Sequence, residues 1–113
     1  MNIYHILDKK QWEKAAQIGF YAPDSLEKEG FIHCSTKKQI IPTANRRFQG
    51  SDELLLLVIN PKKVEAKTVY EDLKGIGEKH PHIYGKLALN EIESIAELKP
   101  EKNGQFKQLP PQM

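Results

Sequence analysis

The chain predicts an α+β fold, and three observations carry that reading. Apolar residues recur at helical spacing in two early segments, the run "LLLLVI" is continuously apolar, and short extended segments are spread along the rest. Together they give one compact domain over residues 1–99, with two early helices and five or six short, mostly antiparallel strands. A polar, proline-containing stretch over residues 100–113 has little to bury and is expected to be a mobile tail.

Residues 2–7 read as the first strand, because Ile3, Tyr4, Ile6 and Leu7 suit a pleated, half-buried surface. Asp8 then caps a helix over residues 9–18. Gln11 stands in capping-box position, Trp12, Ala15 and Ala16 repeat at helical spacing, and Gly19 ends the pattern. Residues 20–29 read mostly as loop, with "SLEKEG" offering one helical turn capped by Ser25. A second strand over residues 31–35 leads into a helix capped by Ser35 or Thr36 and running to about Phe48. Pro42 removes a hydrogen bond from that helix, which should kink or restart there. "LLLLVIN" has the look of a central strand covered on both faces, ended by Asn60-Pro61. Residues 67–71 form a further strand with Val69 inward, the glycines of "DLKGIGEKHP" mark a loop, and residues 82–87 are extended again. A turn near Asn90 precedes a last strand over residues 94–98.

Composition narrows the classes. A chain of 113 residues, 39% hydrophobic and 28% charged with a formal net charge of +2, is an ordinary globular balance whose excess charge is too small to imply nucleic acid. No apolar run approaches the length of a membrane span, and "MNIYHILDKK" lacks signal-peptide architecture, so a cytoplasmic location with no membrane partner is expected. One cysteine leaves no internal disulfide, CxxC pair or multi-cysteine zinc site.

Strand alternation sorts the polar residues. Phe31, His33 and Ser35 share one side, and Ile32 and Cys34 the other, so Cys34 reads as a small packed hydrophobe. The same rule places His5 between Ile3 and Leu7 and puts His82 with Tyr84. Three strands each presenting a histidine suggest a polar cleft. The plain alternatives are a backbone-carbonyl partner or a strand edge for His5, an edge for His82, and a solvated loop residue for His80. Arg47 reads as a solvated helix face, whereas Asn45, a poor helix former, hints at a hydrogen-bonding task. Zinc would need His5, His33 and His82 on adjacent strands, and no metal is expected. No GxSxG, GxGxxG or P-loop occurs. The spacing of His33 and Ser35 is one half of the paired HxT/S signature of two-histidine phosphoesterases, without the second half.

The strings "IYHILDKKQWEKAAQIGFYAPDSLEKEGFIHCSTKKQ", "TANRRF", "LLLLVI" and "HPHIYGKL", in that order, resemble the domain-of-unknown-function 952 family of small bacterial and plant proteins. That family is similar in fold to the ADP-ribosyltransferases. The pattern also looks like the RNA 2′-phosphotransferases and rifampin ADP-ribosyltransferases, with Tyr4-His5 at the first motif, "FIHCS" at the second strand and "HIYGKL" at the third motif strand. By this resemblance His5 would bond the nicotinamide ribose of NAD, His33 would hold the second-motif position, and Ser35 would lie beside it. Ile6-Leu7 stands where those enzymes have Gly-Thr, and Glu71 is the nearest acid to the third motif.

The resemblance therefore implies a protein that binds NAD or a related nucleotide and transfers ADP-ribose. Its expected catalytic residues are His33, His5, Tyr84 and Glu71. Its expected nucleotide contacts are His5, Ser35, Thr36, Asn45, Arg46 and His82. NAD would be the substrate, and the acceptor, nucleic acid or protein, stays open. Two alternatives stand beside this reading. One is a non-catalytic nucleotide- or ligand-binding module on the same fold; the other is an RNA-phosphate-processing enzyme resting on His33, Ser35 and Arg46.

Overall fold

The computed structural model describes residues 1–111. In chain order the elements are β1 (Ile3–Asp8), α1 (Lys9–Ile18), β2 (Phe20–Tyr21), α2 (Asp24–Lys28), β3 (Ile32–His33), α3 (Ile40–Arg47), β4 (Leu54–Ile59), β5 (Lys67–Glu71), β6 (His80–Tyr84), β7 (Leu87–Ala88) and β8 (Ile92–Leu98). Short 3₁₀ turns at Lys37–Gln39, Pro61–Lys63 and Leu89–Glu91 join some of them. The α+β class stands as expected. Among the described residues there are eight strands where five or six were expected, and three α-helices where two were. The surplus strands β2 and β7 have two residues each, too few to show a period.

Local chemistry sets the helix ends. The Asp8 carboxylate accepts from the Gln11 backbone N–H at 2.8 Å, and the Gln11 side chain accepts from the Asp8 N–H at 3.1 Å, which closes the capping box of α1. Gly19 ends that helix in the left-handed conformation, φ 102°, with its N–H on the Ala15 carbonyl. The segment expected to be mostly loop holds β2 and, over the stretch that offered one helical turn, α2. Pro23, not Ser25, stands at the start of α2, and the Ser25 hydroxyl donates to the Phe31 carbonyl at 2.7 Å. The break expected at Pro42 does not fall there: a 3₁₀ turn comes first past Ser35, and α3 begins at Ile40 and runs on through Pro42. Pro42 thus falls in its first turn, where a missing N–H costs no helical bond.

β4 lies at the centre of an antiparallel sheet ordered β1-β4-β8. Its alternate residues feed two cores. Leu55, Leu57 and Ile59 pack with Ile3, Leu7, Ile32, Ile83 and Leu87, while Leu54 and Leu56 pack with Tyr4, Ile6, Ile40, Ala44, Leu98 and Phe106. This is the two-sided burial that its unbroken apolar run foretells. A second antiparallel sheet runs β3-β6-β5, and β2 pairs with β7.

Phe106 corrects the expectation that the stretch from Pro100 onward has little to bury. Its side chain is 1% exposed. Asn45 secures it from α3: the side-chain amide donates to the Phe106 carbonyl at 2.9 Å and accepts from the Phe106 N–H at 2.6 Å. Residues 112 and 113 of the expected tail lie outside the described residues.

Candidate functional site

The two sheets meet at β1. Tyr4 and Ser35 exchange backbone hydrogen bonds of 2.8 and 2.7 Å, and the Cys34 N–H reaches the Pro81 carbonyl at 3.0 Å, so β1, the β3 segment and β6 are neighbours. Each carries one of the histidines His5, His33 and His82. Alternation then turns Phe31 and His33, His80, His82 and Tyr84, and Val69 and Glu71 to one face of the β3-β6-β5 sheet. Ile32 and Ile83 turn the other way, into the core.

His33 and His82 stand directly opposite in register. Their ring centroids are 5.6 Å apart at an interplanar angle of 73°, and Phe31 stacks on His82 at 4.0 Å and 18°. Each of the two histidines has its own carboxylate. His33 Nε2 lies 3.0 Å from Glu29 Oε2, and His82 Nδ1 lies 2.8 Å from Glu71 Oε1. The Tyr84 hydroxyl donates to the same Glu71 oxygen. Hydrogen bonds from Tyr84 and from His82 hold the Glu71 carboxyl below the usual range, and the one from His33 does the same for Glu29. Burial holds His33 below its ordinary value, against the opposing pull of Glu29.

His5 sits behind this pair. Its Nδ1 lies 2.5 Å from the His33 carbonyl, which can only accept, so Nδ1 carries the hydrogen. Nε2 is then the acceptor for the Tyr21 hydroxyl at 2.6 Å. Burial lowers the His5 pKa to about 4 and pushes the Tyr21 hydroxyl up, so near neutrality the imidazole is uncharged and the phenol keeps its proton. His5 thereby fixes the backbone that carries His33.

Above the histidines opens a cleft of about 720 Å³. Thr43, Arg46 and Arg47 of α3 form one wall, and Leu73 and Ile76 of the loop over residues 72–79 form another. Asp72 shapes that loop by accepting from the Ile76 and Gly77 N–H groups at 3.0 and 2.7 Å. Ser35 Oγ donates to Thr43 Oγ1 at 3.4 Å, linking β3 to α3 at the cleft edge.

The residue pattern over most of the chain fits one known family model, described as protein of unknown function (DUF952), which matches residues 6–95. The chain belongs to the DUF952 family. It is similar to protein CC0527 from Caulobacter crescentus. The crystal structure of that protein shares 29% sequence identity with this chain at a TM-score of 0.83, covering 95% of this chain and 94% of the other. Its solution NMR structure gives 29% identity and a TM-score of 0.78 over 94% and 91%. No curated protein matches the chain significantly.

Of the residues expected at the site of this DUF952 chain, His33, His5, Glu71, His82, Ser35 and Arg46 line the cleft, and Tyr84, Thr36 and Asn45 do not. Tyr84 shares the histidine face but is 40% exposed and meets the site through Glu71. The Thr36 N–H is held by the Gln39 side chain at the start of the 3₁₀ turn, and the Asn45 amide is spent on Phe106. Both ring nitrogens of His5 are taken by the protein, which leaves neither for a ribose. Arg47 is exposed, as its reading as a solvated residue has it, and it also lines the cleft. So does His80, whose Nε2 is buried without a hydrogen bond among the described residues; Glu78 stands 3.3 Å away but off the bonding direction. Glu29 and Tyr21 escape sequence reasoning because their partners lie across turns, where no period links them. No group of three or more His, Cys, Asp or Glu among the described residues is arranged to hold a metal ion. No described helix is long and apolar enough to cross a membrane.

Proposed function

We propose that the cleft binds a nucleotide, NAD first among the candidates, with ADP-ribose transfer as the activity that the resemblance to ADP-ribosyltransferases attaches to it. The observation that carries this reading is the meeting, in one opening of about 720 Å³, of an aromatic floor made by Phe31, His33 and His82 with the guanidinium groups of Arg46 and Arg47. A nucleotide needs both: apolar or aromatic surface for its ring, and fixed cations for its phosphates. Cleavage of the NAD glycosidic bond builds positive charge on the ribose, and an ionised carboxylate stabilises that charge. Glu71, kept ionised in the cleft by its bonds to Tyr84 and His82, is one such carboxylate, and Glu29, held by His33, is another.

A non-catalytic binding module is the second reading. It is favoured by the engagement of one oxygen of Glu29 and one of Glu71 with side chains of the protein, which leaves a single oxygen of each carboxylate to meet a ribose. Calorimetry with NAD and with ADP-ribose separates these readings from no function of this kind. The expected outcome is saturable binding of at least one ligand, weakened about tenfold or more in Arg46→Ala/Arg47→Ala, since a charge-assisted phosphate contact contributes roughly 1.5–3 kcal/mol. Binding without release of nicotinamide selects the module, and absence of binding by the wild type removes the NAD reading.

A further inference from the structure

We infer that His33 and His82 form an acid–base couple for transesterification at a ribonucleotide phosphodiester, with Arg46 and Arg47 neutralising the charge that develops on the phosphate. The inference rests on the reading of the cleft as a nucleotide site and assigns it a substrate class. The geometry behind it is the doubling of one unit. Two imidazoles face each other across a single strand pairing, each held by its own glutamate, and both open into the same cleft.

A carboxylate on one ring nitrogen orients an imidazole and leaves the other nitrogen to exchange a proton with a ligand. His33 has Nδ1 left over and His82 has Nε2, neither hydrogen-bonded among the described residues. One such histidine performs one proton transfer. Two of them, in contact edge to face, suit a displacement in which one oxygen must lose a proton while another gains one. A phosphodiester with a neighbouring hydroxyl undergoes that reaction. His33, kept neutral by burial, takes the proton of the ribose 2′-OH. The 2′ oxygen attacks phosphorus, the bond from phosphorus to the 5′ oxygen breaks, and His82 delivers a proton to that departing oxygen. The products are a 2′,3′-cyclic phosphate and a free 5′-hydroxyl. Neither oxidant nor co-reactant is required, and the proton passes from one histidine to the other through solvent to reset the pair. Ser35 and Thr43, at the cleft edge between β3 and α3, are placed to meet further phosphate oxygens.

The test uses the full chain with a ribodinucleotide as substrate and its 2′-O-methyl analogue, which lacks the nucleophile, as a binding probe. The expected result is formation of the 2′,3′-cyclic phosphate product from the ribodinucleotide alone. His33→Asn and His82→Asn should each slow it roughly a hundredfold or more, the usual worth of a general acid or base. Unchanged circular dichroism and a cooperative urea transition certify that the variants fold. Probe binding without cleavage overturns the acid–base assignment and leaves the nucleotide reading intact. Failure of the wild type to bind the probe overturns the inference, while the NAD reading stands or falls on its own calorimetry. Cleavage undiminished in either variant assigns the activity to something other than this pair and overturns the inference.

Discussion

At the scale of single residues, the decisive one is His5, which looks like a site residue and behaves as a support. Strand alternation places it correctly on β1, and one of its plain alternatives, a backbone-carbonyl partner, is what the structure provides in His33. Its other partner, Tyr21, was not legible, because a two-residue strand has no alternation to read. Replacing Tyr21 with Phe strands a buried imidazole nitrogen, and the loss expected is about 1–3 kcal/mol. Urea denaturation measures it; an unchanged midpoint at unchanged slope would remove the bond from the account of stability. The neighbouring Cys34 was legible from parity alone. It is buried with Ile32 and Ile83, and burial pushes its thiol well up, so thiol reagents should modify it only on unfolding. Rapid labelling of the native chain would contradict that burial.

At the scale of elements, what the sequence made legible were the segments whose signals are local. Both ends of α1 follow from Asp8, Gln11 and Gly19, and the central place of β4 follows from its unbroken apolar run. What escaped was set by contacts between distant residues: the pairing of β2 with β7, and the seating of Phe106 against α3. Gly85, between β6 and β7, belongs to the second kind. Its φ lies outside the left-handed region, yet a Cβ there would stand 2.8 Å from the Ala66 Cβ. Gly85→Ala is therefore expected to cost about 1–3 kcal/mol as an overpacking change, read as a fall in melting temperature. Phe106→Ala opens a cavity in the core beneath α3 and should cost about 3–5 kcal/mol. A loss below about 1 kcal/mol in chemical denaturation would mean that the segment around Phe106 packs less tightly than its burial states.

At the scale of the whole molecule, the join between the sheets makes acid stability a property of the site. Folded His5 binds its proton near pH 4, against an ordinary value of 6.5. As pH falls through that interval the unfolded chain takes up the proton first, so stability declines from 6.5 to about 4 and the loss is complete below it. Its size is on the order of 3 kcal/mol. His33, lowered less, acts in the same direction, while Glu29 and Glu71 add their losses at lower pH, as their depressed carboxyl groups protonate. Denaturant midpoints taken across this range check the sign, and a flat profile between 6.5 and 4 would contradict a buried neutral His5. The bond between Asn45 and Phe106 also works at long range, since it spans 61 positions of sequence. The helix it steadies bears Arg46 and Arg47, one and two residues beyond Asn45. A substitution, fusion or proteolytic cut near Phe106 can thus register as a change in ligand affinity although it touches no wall of the cleft. A mutational survey scored only by binding would then place part of the site in the tail.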